Sequence, residues 1–183
     1  MGVHTLHPFV LLNYINSSRD VSTIAHELGH SMHSYYASKN QNIINANYTI
    51  MVAEVASTVN ELLLANYLIN KEQDNMKKAA LINEQLDMIR ATLIRQSMFA
   101  EFERDVHSKI EQNESLTSDN LNDIYYDLVK KYFGESTNAN EEIKYEWARI
   151  PHFYRCFYVY KYATGITSAI VIASKILEGE EGY

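Results

Sequence analysis

His26 and His30 stand four residues apart and enclose Glu27, Leu28 and Gly29. On a helix, positions i and i+4 lie one above the other, so the two imidazoles can share one metal ion. Glu27 projects beside that ion, where its carboxylate can take a proton from a metal-activated water. The pattern is that of zinc peptidases. A solvated helix face carrying two histidines by chance is the alternative. Ile24, Ala25 and Leu28 count against it, because they make the segment look buried.

A catalytic zinc site needs a third protein ligand and one position left for water. His33, Glu54, Glu61 and His152 are the candidates. His33 is turned about 300° from His30 and sits further along the helix, so a polar contact suits it better than ligation. Glu54 lies in Val52-Ala53-Glu54-Val55-Ala56-Ser57, where a carboxylate is costly without a partner. The small neighbours would let that helix pack closely on the one carrying His26 and His30. Pairing of Glu54 with an unrelated cation stays open. Glu61 follows two turns later on the same face. It can accept a hydrogen bond from the far nitrogen of a ligand histidine, or be a solvated carboxylate.

The elements that must position these residues are mostly helices. The 183 residues are 46% apolar, with two prolines and six glycines, so long stretches run without a breaker. Pro8–Tyr14 reads as a short strand. Ser17, Ser18 and Asp20 can cap a helix running to about residue 38, which carries the histidine pair. Residues 39–48 read as a loop with an extended piece near Ile43 and Ile44. Thr49 can cap a helix over about 50–69. A long helical stretch covers 71 to about 112. Thr117 and Ser118 cap another helix, closed by Gly134. A further helix runs from Asn138 to Ile150, where Pro151 ends it. The chain finishes with helices over about 153–163 and 167–177, separated at Gly165, where a tight turn or close backbone approach is expected.

Composition narrows the function classes. The net charge is −7 and no basic cluster stands out, which argues against nucleic-acid binding. Cys156 is the sole cysteine, so an intrachain disulfide is excluded and a reducing cytoplasm is the default compartment. Residues 1–7 show no leader pattern, and the longest apolar run, Ala163–Leu177, is too short for a membrane span.

The blocks HPFVLLNY, AHELGHSMHSYY, AEVASTVNE and WARIPHFYRCFYVYKYATG together resemble the oligoendopeptidase F branch of the thimet oligopeptidase-like metallopeptidases. The resemblance runs from His4 to the C-terminus. It implies a mainly α-helical, zincin-like catalytic core with a short β edge segment near the zinc helix. It implies one Zn2+ held by His26, His30 and Glu54, with Glu27 as general base. Two departures stand out. Asn40-Gln41-Asn42-Ile43 replaces an expected Gln-Pro-Tyr loop. Members of the family are also several times longer, so residues 1–183 read as part of a catalytic domain. The preceding channel wall and the following C-terminal helices are expected to lie outside it.

The resemblance also implies oxyanion donors in the last block. The matching positions are His152 and then Tyr154 and Tyr160, with Tyr158 as a substitute. Neutral Tyr and His are suitable donors. Tyr154, Tyr158 and Tyr162 also recur every four residues, a spacing that suits an aromatic packing stripe. Trp147 and Arg149 read as structural. The segment Pro8–Tyr14 can pair with extended peptide by strand addition, or be an ordinary core strand.

The reading is therefore a zinc endopeptidase domain acting on oligopeptides. The alternative is a catalytically incomplete fragment that binds zinc or peptide. No nucleic-acid or membrane partner is expected. A shortened domain can expose an apolar face and self-associate.

Overall fold

The computed structural model describes residues 7–134 and 137–183 and is mainly helical. The start of the sequence up to residue 6, part of the region read as lacking a leader, lies outside the described residues. The backbone falls into two compact units, Met1–Ile89 with Thr164–Tyr183, and Arg90–Ala163.

In the first unit, α1 (Ser18–Asn40) starts with a capping box. The Ser17 hydroxyl accepts from the Asp20 backbone N–H, and the Asp20 carboxylate accepts from the Ser17 N–H at 2.7 Å. This satisfies donors that a helix start leaves unpaired. The Ser17 backbone N–H is also the main reason the Asp20 carboxyl titrates below its ordinary range. Helix α2 (Ile50–Lys71) follows Thr49, whose backbone is extended as at an N-cap but whose hydroxyl makes no capping bond. Helix α3 (Asn75–Ile89) follows a short break, where the Asp74 carboxylate accepts from the Met76 and Lys77 N–H groups. Helix α6 (Tyr160–Glu178) belongs to this unit from Thr164 on. Its Ala169 and Ala173 pack on Leu62, with Val55, Val59, Leu63, Met88 and Ile170 around them.

The second unit begins with a π-helical segment, Arg90–Ile94, which leads without a break into α4 (Arg95–Glu111), within the stretch expected to be helical. Helix α5 (Ser118–Phe133) is capped by Thr117 and ends at Gly134, which adopts φ 72°. The 3-10 segments Glu141–Arg149 and Pro151–Tyr154 follow. Met98, Phe99, Phe102, Tyr125, Leu128, Val129, Ile150 and Val159 form the core. Glu146 ties this unit together: its carboxylate accepts from Tyr125 Oη at 2.6 Å and from Arg95 and Arg149. Burial first, and then Glu146, push the Tyr125 phenol well above its usual range. Trp147 Nε1 donates to Asn122 at 2.9 Å. Trp147 and Arg149 thus each make a side-chain hydrogen bond within this unit.

Four local expectations are corrected. Pro8–Tyr14 forms no strand, and no strand exists among the described residues. A strand needs a partner edge, and its β-prone composition cannot supply one. Ile43 and Ile44 lie in a turn, because the Asn42 side chain accepts from the Ile44 and Asn45 N–H groups and bends the backbone. Residues 155–159 are not helical, and Phe157 takes φ 56°. Gly165 does not separate two helices but lies buried within α6. A Cβ there would stand 3.8 Å from the Glu54 Cβ, so this glycine serves close approach.

Candidate metal centre

The two helices that carry the proposed ligands touch at a glycine. A Cβ on Gly29 would lie 2.7 Å from the Ser57 Cα and 2.9 Å from the Ala56 carbonyl oxygen. No larger residue fits that contact without a backbone shift. Ala25, one turn earlier on α1, is also buried. Its carbonyl accepts a hydrogen bond from Asn60 Nδ2 at 2.6 Å, across the helix pair. His26 and His30 each follow a contact residue by one position, which places them about 100° around the helix, at the edge of the seam.

Glu54 meets them there. Its Oε2 lies 3.6 Å from His26 Nε2 and 4.0 Å from His30 Nε2. The three potential ligand atoms lie within 4.8 Å of one another. Zinc bonds of about 2.0–2.2 Å at tetrahedral angles would space such atoms by roughly 3.3–3.6 Å. Two imidazole nitrogens and one carboxylate oxygen, all on partly buried side chains, are a donor set that fits zinc. The Glu54 backbone carbonyl accepts from Ser57 Oγ at 3.0 Å.

Glu61 takes the other side of His26. Its Oε2 is 3.4 Å from His26 Nδ1. A carboxylate at Nδ1 favours the proton there and leaves the Nε2 lone pair directed toward Glu54. Burial works against protonation of His26, but Glu61, and then the charges of Glu54 and Glu27, outweigh it and raise its pKa. His30 goes the other way: burial first, and then the neighbouring His26, lower its pKa. The two rings stand edge to face, with centroids 4.6 Å apart. Glu27 is partly buried next to His26. Its carboxylate makes no hydrogen bond or ion pair among the described residues.

His33 joins none of these groups. It stacks on Tyr48 at 3.8 Å, and Tyr48 Oη lies 2.5 Å from Ser34 Oγ. Burial first, then His30, depress its pKa.

The second set of candidates is in the other unit. His152 is partly buried, and its Nε2 lies 3.4 Å from Tyr162 Oη. Its ring neighbours are Tyr158 and Tyr162, at 5.6 and 5.8 Å. Tyr154 is 82% exposed and takes no part in that cluster, and Tyr160 is exposed on the first turn of α6. Tyr162, which the sequence offers as part of an aromatic packing stripe, is the tyrosine whose hydroxyl faces His152 Nε2. Its four-residue spacing from Tyr158 was the available signal, although Tyr158 lies just before α6 and not on it. The sequence carries no sign of which faces of α1 and α2 meet, so it does not single out Asn60 or Gly29.

A model of peptidase family M3 matches residues 2–182. The chain belongs to peptidase family M3. It is 47% identical over 177 residues to "Oligopeptidase PepF" of Bacillus subtilis (strain 168), covering 97% of this chain and 26% of that protein. Among solved structures it is similar to one from Chlamydophila abortus, with a TM-score of 0.90 and 44% identity over 100% of this chain and 31% of that one. It is also similar to oligoendopeptidase-F from Enterococcus faecium, with a TM-score of 0.78 and 42% identity, covering 89% and 29%. The chain thus spans about a quarter to a third of the length of the relatives it matches. No described helix is long and apolar enough to cross a membrane.

Proposed function

We propose that this chain forms the zinc-binding core of a zincin-like endopeptidase that hydrolyses oligopeptides. The single observation that carries the reading is the convergence of His26, His30 and Glu54 at one point, with Glu61 behind His26. His26, His30 and Glu54 would hold one zinc ion. When bound, zinc supplies Lewis acidity, which polarises a carbonyl and makes water a better acid.

The protein residues supply the rest. Glu27 accepts the proton of the attacking water as its oxygen adds to the scissile carbonyl carbon. The same carboxyl then delivers that proton to the amide nitrogen as the C–N bond breaks. Glu61 holds the His26 tautomer. His152, with Tyr154 and Tyr160 or the substitute Tyr158, would donate hydrogen bonds to the oxyanion. Donors of this kind contribute on the order of 2.7–4 kcal/mol each. The lone cysteine and the acidic balance suit a cytoplasmic enzyme acting on peptides.

The chain's short span relative to its relatives favours a second reading, a fragment that binds zinc or peptide without turnover. The exposed Leu28, Met32 and Tyr36 on α1 fit a surface that meets further protein, including a second copy. Zinc content and hydrolysis of a fluorogenic oligopeptide separate the readings. One zinc per chain, lost in His30→Ala, supports the metal centre; equal zinc in both proteins refutes it. Turnover abolished by a chelator and by Glu27→Gln supports the enzyme, whereas zinc binding without turnover supports the fragment.

A further inference from the structure

The contact at Gly29 lets α1 and α2 approach closely at one point. Van der Waals packing resists sliding only through the fit of ridges into grooves. A hydrogen bond is directional, and Asn60 makes one across this seam. Its Nδ2 donates to the Ala25 carbonyl at 2.6 Å. A carbonyl has two lone pairs, so Ala25 can accept from Asn60 while keeping its helical bond.

The position of this bond ties it to the metal centre. Ala25 immediately precedes His26, and Gly29 immediately precedes His30. Asn60 immediately precedes Glu61 and lies six residues after Glu54. The bond therefore ties the turn carrying the first histidine to the stretch carrying both carboxylates. A slide of one residue along a helix is about 1.5 Å. Metal sites hold their ligand distances to about 0.2 Å. Glu54 Oε2 now stands 3.6 and 4.0 Å from the two imidazole nitrogens, and such a slide would take it out of register.

We propose that Asn60 is a positioning residue for the metal centre: its amide locks the register of α2 on α1 and so delivers Glu54 to His26 and His30. The inference rests on the zinc reading above. Asn60 touches none of the ligand atoms named there, and its effect runs through the Ala25 backbone.

The test measures zinc affinity of the 183-residue chain by competition with a chromogenic chelator, and the visible spectrum of the cobalt(II)-loaded protein. Wild type is compared with Asn60→Leu, Asn60→Asp, Glu54→Gln and the double variant Asn60→Leu/Glu54→Gln. Circular dichroism reports folding. Asn60→Leu is expected to keep its helicity, lose at least about tenfold in affinity, and shift its cobalt spectrum toward that of Glu54→Gln. The double variant should bind nearly as well as Glu54→Gln alone, because the carboxylate that Asn60 positions is then already gone. Asn60→Asp keeps the size but sets an acceptor against the Ala25 carbonyl, and should behave like Asn60→Leu. Wild-type affinity in the Asn60 variants, or losses that simply add in the double variant, would overturn the proposal. So would loss of helicity in both Asn60 variants, which would make Asn60 a general packing residue. Failure of wild type to bind zinc would instead defeat the zinc reading, and this proposal with it.

Discussion

Glu61 Oε2 lies 3.4 Å from His26 Nδ1, on the ring nitrogen opposite the one facing Glu54. One imidazole is thus held between two carboxylates of the same helix, seven residues apart. In the proposed centre Glu54 would share the metal and Glu61 would orient the ring. Removing a carboxylate behind a ligand histidine typically costs about 10–100-fold in metal affinity. Glu61→Gln should fall in that range, while His30→Ala should lose the metal. Zinc titration against a competing chelator would check both, and a Glu61→Gln affinity equal to wild type would remove Glu61 from the site.

Glu27 should be separable from the ligands. Glu27→Gln keeps the side-chain shape but cannot take a proton. It should retain zinc within about twofold and lower turnover by roughly 10²–10⁴-fold in a form of the protein that hydrolyses peptide. Undiminished kcat in that variant would place the base elsewhere.

Gly29→Ala tests the helix contact. In an open helix this change stabilises by about 1 kcal/mol. Here the new Cβ would meet the Ser57 Cα at 2.7 Å and the Ala56 carbonyl oxygen at 2.9 Å. Both atoms are backbone, so the helices must part. A net loss of about 1–3 kcal/mol is expected, together with weaker zinc binding. Thermal melting decides the sign, and a raised melting temperature would show that the helices do not meet there.

The second unit gives a prediction in acid. Hydrogen bonds from Lys131 and Tyr132, and then Arg104, hold the Glu101 carboxyl down at about 2, against an ordinary 4.5. The folded pKa is the lower one, so the stabilisation is fully present above pH 4.5. It is lost as pH falls toward 2. Wild type should therefore be more stable than Glu101→Gln near neutrality, and the two melting curves should converge between those values. A gap independent of pH would assign the difference to packing.

What could be read from the sequence follows from how local each signal is. His26, Glu27 and His30 announce themselves because one helix repeat brings them together. Ser17 with Asp20 and Thr117 with Gly134 mark helix ends through their own backbone chemistry, and both helices begin where expected. Pro8–Tyr14 misled because apolar β-prone residues describe a strand's composition, while pairing needs a second edge. Gly165 misled because a glycine within a helix and one between helices look alike until the neighbour at Glu54 is known. The Asn60–Ala25 bond spans 35 residues, and no spacing rule connects its ends.

The helix pair also has a consequence for how the protein forms. All five residues assigned to the metal and its proton transfer fall between His26 and Glu61, on two consecutive helices joined through residues 41–49. Contacts so near in sequence carry a small loop-closure cost and form early in folding. Such a helical hairpin can close its site as soon as Glu61 has left the ribosome. The ligand geometry then becomes a seed around which later segments settle.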